Sequence, residues 1–209
     1  MKEIIDELSA VRRRVGTGTL AAGEARTVTL RRTYDAPIED VWDAITTRER
    51  IARWFLPISG DLRLGGRYQL EGNAGGEIVR CEPPHTLKVT WGMGPGDASE
   101  VEVRLSSTAD GTDLELEHIA IPPPGMWDVY GPGAVGVGWD LVLLGLALFF
   151  QGRSIEESER EAWGRSDEAK AFMTDSATAW SAAHEESGAS PEQAANGAKH
   201  TTAFYVPAE

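Results

Sequence analysis

The chain contains very little cysteine and comparatively little positive charge. Cys81 is the only cysteine among 209 residues, which excludes a disulfide framework and a zinc site made of several thiolates. The 20 Lys and Arg residues stand against 33 Asp and Glu residues, and the net charge of −13 argues against nucleic acid and anionic membranes as partners. The four histidines show no metal-ligand spacing. We therefore expect no metal and no other cofactor.

The sequence also lacks a hydrophobic run that is long enough to cross a membrane. The longest apolar stretch, from Val137 to Phe150, is shorter than the ~20 residues of a spanning helix, and Asp140 interrupts it. The first residues are amphipathic and contain acidic side chains, unlike a signal peptide. These features predict a cytoplasmic protein with one sizeable core.

Familiar enzyme motifs are missing or lack their structural context. No GxSxG sequence occurs. Gly131, Gly133 and Gly136 spell GxGxxG, but the preceding segment 122–125, PPPG, cannot form the strand that a dinucleotide site requires. We interpret these glycines as a flexible loop that leads into a helix.

The segment 33–55, TYDAPIEDVWDAITTRERIARWF, predicts the end of a strand followed by two short helices. Pro37 suits the first position of a helix, and Thr46 or Thr47 is expected to cap the next one. Apolar residues recur with helical spacing in both: Ile38, Val41, Trp42 and Ile45, then Ile51, Trp54 and Phe55. Helices this short are unstable alone, so each must pack on the core.

Four further segments alternate apolar and polar residues, as strands do when one face lies in the core: 66–70, 87–91, 101–105 and 114–118. Turns are predicted at 83–84 and 110–111. The long helix from Val137 to Phe150 is apolar on nearly all sides, which predicts that both sides are covered. The sheet is expected to cover one side.

Both ends of the chain carry additional segments. Residues 1–25 are interpreted as an N-terminal helix followed by a linker at 16–18. In residues 154–209, helical periodicity predicts a helix from Asp167 to Glu186, and Ser190 with Gln193 forms a capping box that starts a second helix. We expect this C-terminal extension to cover the long helix in the same chain or in a second subunit. The second alternative implies a homodimer.

Six pieces of sequence, in order between Arg26 and Phe150, carry a family resemblance. They are YDAPIEDVWDAIT, RIARWF, GDLRLGGRY, GGEIVRCEPPHTLKVTW, GTDLELEH and GWDLVLLGL. They resemble the START-like helix-grip (SRPBCC) superfamily, and within it the homologues of the activator of the heat shock protein 90 ATPase. The resemblance implies an α+β helix-grip domain over residues 26–153. Its curved antiparallel sheet wraps around a long C-terminal helix, with two short helices near the start and, here, the added helical extension.

The resemblance also implies a deep apolar cavity between sheet and helix, but no single activity. We expect the ligand to contact ten residues of its wall: Trp42, Trp54, Phe55, Tyr68, Trp91, Leu116, His118, Trp139, Leu143 and Leu146. The sheet alternation places His118 on the same face as Leu114 and Leu116, pointing inward. We favour a hydrogen-bonded histidine at the edge of the core. The alternative is a polar group that orients a ligand or acts as a general base, and no catalytic residue is assigned.

Other polar candidates are weaker. Asp140 lies in the first turn of the predicted helix, where a carboxylate suits the helix dipole, although it could also face the opening of the cavity. Glu77 and Arg80 are expected on opposite faces of their strand, so that at most one points inward. Cys81 is interpreted as a small buried apolar residue and not as a nucleophile. The segment 122–133 is either a lid over the opening or a surface loop.

Three functions are compatible with this site. The first, which we favour, is the binding of a small hydrophobic molecule without catalysis. The second is an enzyme that resembles polyketide cyclases or hydrolases of the same fold, which requires ionisable groups converging in the cavity. The third is a protein-interaction module that contacts a chaperone, an expectation that comes from the resemblance alone.

Overall fold

The fold is built on an eight-stranded antiparallel sheet with the strand order β1-β2-β8-β7-β6-β5-β4-β3. A computed structural model describes residues 2–94, 99–153 and 162–206. In chain order the strands are β1 (Arg12–Leu20), β2 (Gly23–Tyr34), β3 (Ile58–Gly60), β4 (Arg67–Leu70), β5 (Gly75–Glu82), β6 (Thr86–Thr90), β7 (Ser99–Thr108) and β8 (Gly111–Ala120). The helices named below are α1 (Lys2–Ser9), α2 (Ile38–Thr46), α3 (Arg48–Trp54), α4 (Met126–Tyr130), α5 (Gly133–Phe150), α6 (Asp167–Glu186) and α7 (Pro191–Tyr205).

The long helix α5 packs on one face of this sheet. Leu30 of β2 and Leu114 of β8 are buried on the inner face, and Leu143 and Leu146 of α5 are buried against them in the same core. The hydroxyl of Tyr34, also on β2, donates to the main-chain oxygen of Leu143 at 3.2 Å. The predicted α+β helix-grip architecture is confirmed.

The two short helices follow β2 as the sequence predicts, with differences at their ends. Pro37 lies at the N-cap of α2, with an extended ψ of 150°, so Ile38 and not Pro37 takes the first helical position. Thr47 separates α2 from α3. Its hydroxyl bonds to the Asp43 carboxylate and not to a main-chain amide of α3.

The linker predicted at residues 16–18 is wrong, because these residues lie within β1. Strand β1 pairs with β2 along its whole length, from Arg12 opposite Arg31 to Leu20 opposite Gly23. A Cβ atom on Gly18 would come within 2.7 Å of the Ile119 side chain, so glycine here allows close packing. The boundary expected at residue 25 falls inside β2, and the structure continues through it.

The C-terminal helices pack on α5 on the side that faces away from the sheet. Ser166 and Ser190 cap α6 and α7, each accepting a hydrogen bond from a main-chain amide in the first turn. A Cβ atom on Gly136 would lie 2.2 Å from the Trp180 ring, and one on Gly133 would lie 2.5 Å from the Thr201 hydroxyl. The extension therefore contacts the helix through glycines.

The GxGxxG sequence consequently has a different role from the flexible loop that we expected. Helix α5 already begins at Gly133 and includes Gly136, while Gly131 has a φ of 56° at the end of α4. A side chain at Gly131 would meet the His184 ring. These glycines provide the close approach of the C-terminal extension.

Helix α5 is the one helix in the described ranges with the length and apolar composition to cross a membrane. Its setting is that of the core helix of a soluble domain. The sheet covers one side of it, and α6 and α7 cover another, with Val137, Leu144 and Leu148 buried along its length.

Candidate functional site

An apolar cavity of about 150 Å³ lies between the sheet and α5. Strands β4 to β8 form its walls, α5 crosses it, and α3 closes one side. In the part of the chain that the structure describes, no charged side chain lines it. The hydroxyls of Thr46 and Tyr68 reach its wall, but they already donate to the main-chain oxygens of Trp42 and Thr90, at 2.7 and 2.8 Å. The wall therefore offers contact area with few free polar groups.

The structure brings most of the predicted ligand-binding residues together on this wall. Eight of the ten line the cavity: Trp54, Phe55, Tyr68, Trp91, Leu116, Trp139, Leu143 and Leu146. Trp42 does not. Helix α2 turns Ile38, Val41 and Ala44 towards the core, and Trp42 lies half-buried at the edge of that stripe.

His118 points inward, as predicted, but lies behind the wall and is buried, with 7% of its surface exposed. The indole Nε1–H of Trp139 donates to His118 Nδ1 at 3.0 Å. An indole nitrogen only donates, so Nδ1 is the unprotonated nitrogen and Nε2 carries the proton. His118 Nε2 lies 2.8 Å from the Ser99 hydroxyl, which itself donates to the main-chain oxygen of Trp91 at 2.7 Å. Each ring nitrogen of His118 has one partner.

This arrangement does not make Ser99 a nucleophile. A general base must present an unprotonated nitrogen to the hydroxyl, whereas here the nitrogen that faces Ser99 carries a proton. Burial lowers the pKa of His118 to about 4, so the ring is neutral at neutral pH. His118 is a hydrogen-bonded core histidine.

Asp140 does not face the cavity. Because α5 begins at Gly133, Asp140 lies beyond the first turn, and its carboxylate points towards β1 and α6. Arg13 donates two hydrogen bonds to it, at 3.0 and 2.8 Å, and both Ser176 and Trp180 donate to the same Oδ2 atom. Burial raises the pKa of the Asp140 carboxyl, and Arg13 opposes that rise.

The expectation that Glu77 and Arg80 lie on opposite faces is wrong. The register of β5 against β6 shifts between Ile78 and Arg80, so the alternation of faces breaks there. Both Glu77 and Arg80 are exposed on the outer surface, where Arg80 donates to Glu82 at 2.8 Å. Neither points into the cavity.

The segment 122–133 forms no lid. It contains the short helix α4, and none of its residues, all of which are described, lines the cavity. Instead α4 packs on α7, where the Thr201 hydroxyl donates to the Tyr130 main-chain oxygen at 3.3 Å and the rings of Tyr130 and Phe204 lie 6.0 Å apart. Cys81 is half-buried on the cavity wall with a free thiol.

A second hollow, which the sequence did not indicate, lies on the other side of α3. This groove has a volume of about 870 Å³, and helices α1, α3, α5 and α6 contribute to it. Trp54, Phe55 and Val142 line both the groove and the cavity. These three side chains form a partition between the two spaces. The groove brings together elements that are remote in sequence, which is why no local pattern indicated it.

Comparison with known proteins identifies the family. The model of the family "Activator of Hsp90 ATPase homolog 1-like protein" matches residues 35–151, more than half of the chain. The chain belongs to this family. The resemblance found in the sequence is thereby confirmed. A comparison with curated proteins gives no match.

Several solved structures are similar to this chain in sequence and fold. CalU16 from Micromonospora echinospora is 40% identical, with a TM-score of 0.69 over 84% of this chain and 99% of CalU16. MLL2253 from Mesorhizobium loti is 27% identical, with a TM-score of 0.50 over 59% of this chain and 97% of its own. DynU16, described as a putative protein in the dynemicin biosynthetic locus, is 25% identical, with a TM-score of 0.52 over 61% of this chain and 48% of its own.

The match to CalU16 extends beyond the helix-grip domain. A share of 84% is larger than residues 1–153 alone, so CalU16 has a counterpart to part of the C-terminal extension. Part of the extension is therefore shared with at least this one structural relative.

Proposed function

We propose that this protein binds a small hydrophobic molecule in the cavity between the sheet and α5, without transforming it. The observation that carries the proposal is the wall itself, which is aromatic and aliphatic and has no charged side chain among the described residues. Cavities that bind small molecules are typically apolar with few polar groups. The partner is then a small molecule in the cytoplasm, and the net charge of −13 disfavours nucleic acid and anionic membranes.

The volume sets the size of the ligand. A dry engineered cavity of roughly 150 Å³ holds benzene, whereas pockets for drug-sized ligands span roughly 300–1,000 Å³. The cavity here is about 150 Å³ and accepts one small ring without any movement. A larger ligand needs more room, and the partition of Trp54, Phe55 and Val142 is where the larger groove adjoins the cavity.

The chemistry of the wall argues against the enzyme alternative. General acid–base catalysis needs an ionisable group within hydrogen-bond reach of the reacting atoms. His118 is separated from the cavity by Trp91 and Trp139 and is already bonded at both nitrogens. Asp140, Glu77 and Arg80 point elsewhere. The cavity of the described residues thus lacks the convergence of groups that a cyclase or hydrolase requires.

One relative favours a small-molecule ligand. DynU16 is a putative protein in the dynemicin biosynthetic locus, which favours a ligand of biosynthetic origin for this protein. The chaperone alternative is suggested by the family description.

The proposal is tested by stabilisation with an apolar probe. Benzene at a hundred times its dissociation constant should raise the free energy of unfolding by about 2.7 kcal/mol. Val103→Phe places a ring in the cavity and should abolish this gain, whereas Val79→Phe, the same change on the exposed outer face of β5, should retain it. Thermal unfolding with and without benzene measures the gain in each variant.

Failure of benzene, naphthalene and alkanes alike to stabilise the unmodified protein would refute the proposal. Mass spectrometry of molecules retained during purification would identify the natural ligand.

A further inference from the structure

One end of the cavity is built from aromatic rings that contact one another. The rings of Trp91 and Trp139 lie 5.0 Å apart at 49°, and Tyr68 lies 6.4 Å from Trp91. All three line the cavity. His118 packs behind them, edge-on to Trp139 at 5.7 Å and 86°.

His118 bonds to the side chain of Trp139, and Ser99 bonds to the main chain of Trp91. Trp139 extends from α5, and within the described residues the one polar contact of its side chain is the hydrogen bond that Nε1 donates to His118 Nδ1. The main chain of Trp91 is held by Ser99, because Trp91 N donates to the Ser99 main-chain oxygen at 2.8 Å and the Ser99 hydroxyl donates to the Trp91 main-chain oxygen at 2.7 Å. His118 itself is anchored in β8, opposite Val101 of β7 and Val28 of β2. The sheet therefore sets the position of the imidazole, and the imidazole sets the orientation of the Trp139 ring.

We propose that His118 is a positioning residue that holds Trp139 so that this end of the cavity selects flat, uncharged aromatic ligands. The inference rests on the proposed function and specifies the class of its ligand. Fixed indole rings favour another aromatic ring through offset or edge-to-face contacts, and a saturated ring of similar size gains no such term. The aliphatic remainder of the wall contacts both kinds of ring alike. His118 acts only through Trp139 and does not touch the ligand.

The experiment compares benzene with cyclohexane, two uncharged probes of six carbon atoms each, in the full chain. The measured quantity is the dissociation constant of cyclohexane divided by that of benzene, compared between protein variants. Because this comparison is made between variants, the different solubility of the two probes in water cancels. A merely structural defect would weaken the binding of both probes by the same factor and leave the ratio unchanged.

His118→Leu removes the acceptor for Trp139, and the ratio should fall about fivefold. His118→Gln is the matched control, since its amide oxygen can accept from Trp139 and its amide group can donate to Ser99, and it should leave the ratio unchanged. The Trp139 indole N–H resonance in nuclear magnetic resonance spectra should move in His118→Leu and stay near its original position in His118→Gln. Should His118→Leu fail to fold, Ser99→Ala replaces it, with an expected fall of about twofold.

The outcomes separate the two proposals. If the unmodified protein binds neither these two probes nor naphthalene, the proposed function fails and this inference fails with it. If the protein binds benzene but the ratio is unchanged in His118→Leu, or in Ser99→Ala where that variant is used, the positioning role is wrong and the binding function stands. If the ratio falls in His118→Leu and stays at its original value in His118→Gln, the result supports both the binding function and the positioning role.

Discussion

Two buried polar side chains, Asp140 and His118, are each satisfied by residues far away in the sequence. Asp140 accepts hydrogen bonds from Arg13 on β1 and from Ser176 and Trp180 on α6. The Arg13 and Asp140 side chains are 8% and 0% exposed, so this ion pair is shielded from water. In such a pair, removal of one partner leaves the other charge buried without compensation.

Asp140→Asn should therefore destabilise the protein by about 3–5 kcal/mol, because Arg13 keeps its charge and loses its counter-charge. Asp113→Asn is the control, since its partner Arg31 is 52% exposed and an exposed ion pair contributes less than about 1 kcal/mol. Urea unfolding at neutral pH measures both. Equal effects of the two changes would contradict the importance that we assign to burial.

His118 predicts a specific dependence of stability on pH. The folded protein has a His118 pKa of about 4, against an ordinary value of 6.5, because burial disfavours the charged ring. The unfolded chain takes up a proton as pH falls below about 6.5 and the folded protein does not, so stability is lost between pH 6.5 and 4. Over that range the loss should be about 3 kcal/mol greater than in His118→Gln. If the free energy of unfolding of the two proteins fell in parallel with pH, His118 would not be the cause of the loss of stability.

Single residues were predictable where one local rule decides their orientation. Alternation along β8 places His118 inward with Leu114 and Leu116, and the structure agrees. The partners of His118 were not predictable, because Ser99 and Trp139 reach it through strand register and helix packing. The failure at Arg80 has a different cause: the register shift in β5 breaks the alternation without any local signal in the sequence.

Among the elements, the helices with clear end signals were predicted best. Helix α6 spans Asp167–Glu186, the range that its periodicity and Gly188 indicate, and Ser190 caps α7. Strand β1 was missed because its sequence, RRRVGTGTL, lacks the alternation of a half-buried strand. Its pairing with β2 makes it a strand, and that pairing is a long-range property of the sheet.

Helix α5 gives a prediction at the scale of one element. Gly136→Ala should destabilise the protein by about 1–3 kcal/mol, because the added methyl group overlaps the Trp180 ring and displaces α6. Gly138→Ala on the same helix is the control. Its nearest neighbour is the Tyr205 hydroxyl at 3.3 Å, and alanine favours a helix by up to about 1 kcal/mol over glycine. Thermal unfolding should thus separate the two alanine variants, and similar losses in both would argue against close packing at Gly136.

For the molecule as a whole, the C-terminal helices complete the core. They cover the side of α5 that the sheet leaves open, within the same chain, and Trp180 is among the most deeply buried side chains. The need for a cover was predictable from a helix that is apolar on nearly all sides. The docking geometry was not, since it depends on Gly133, Gly136 and the Asp140 hydrogen bonds together.

Deleting residues 166–209 should expose the apolar outer face of α5 and leave the Arg13–Asp140 pair open to water. We expect the shortened protein to self-associate and to unfold at a lower temperature. Light scattering coupled to size-exclusion chromatography and a thermal scan are the measurements. A truncated chain that stayed monomeric and equally stable would show that the helices are accessory.

The shared partition of Trp54, Phe55 and Val142 has a consequence for how such a protein diversifies. The division of the interior into a small cavity and a larger groove depends on these three side chains, two at the end of α3 and one on α5. We therefore expect relatives with the same backbone to bind ligands of different length when they carry other residues at these three positions.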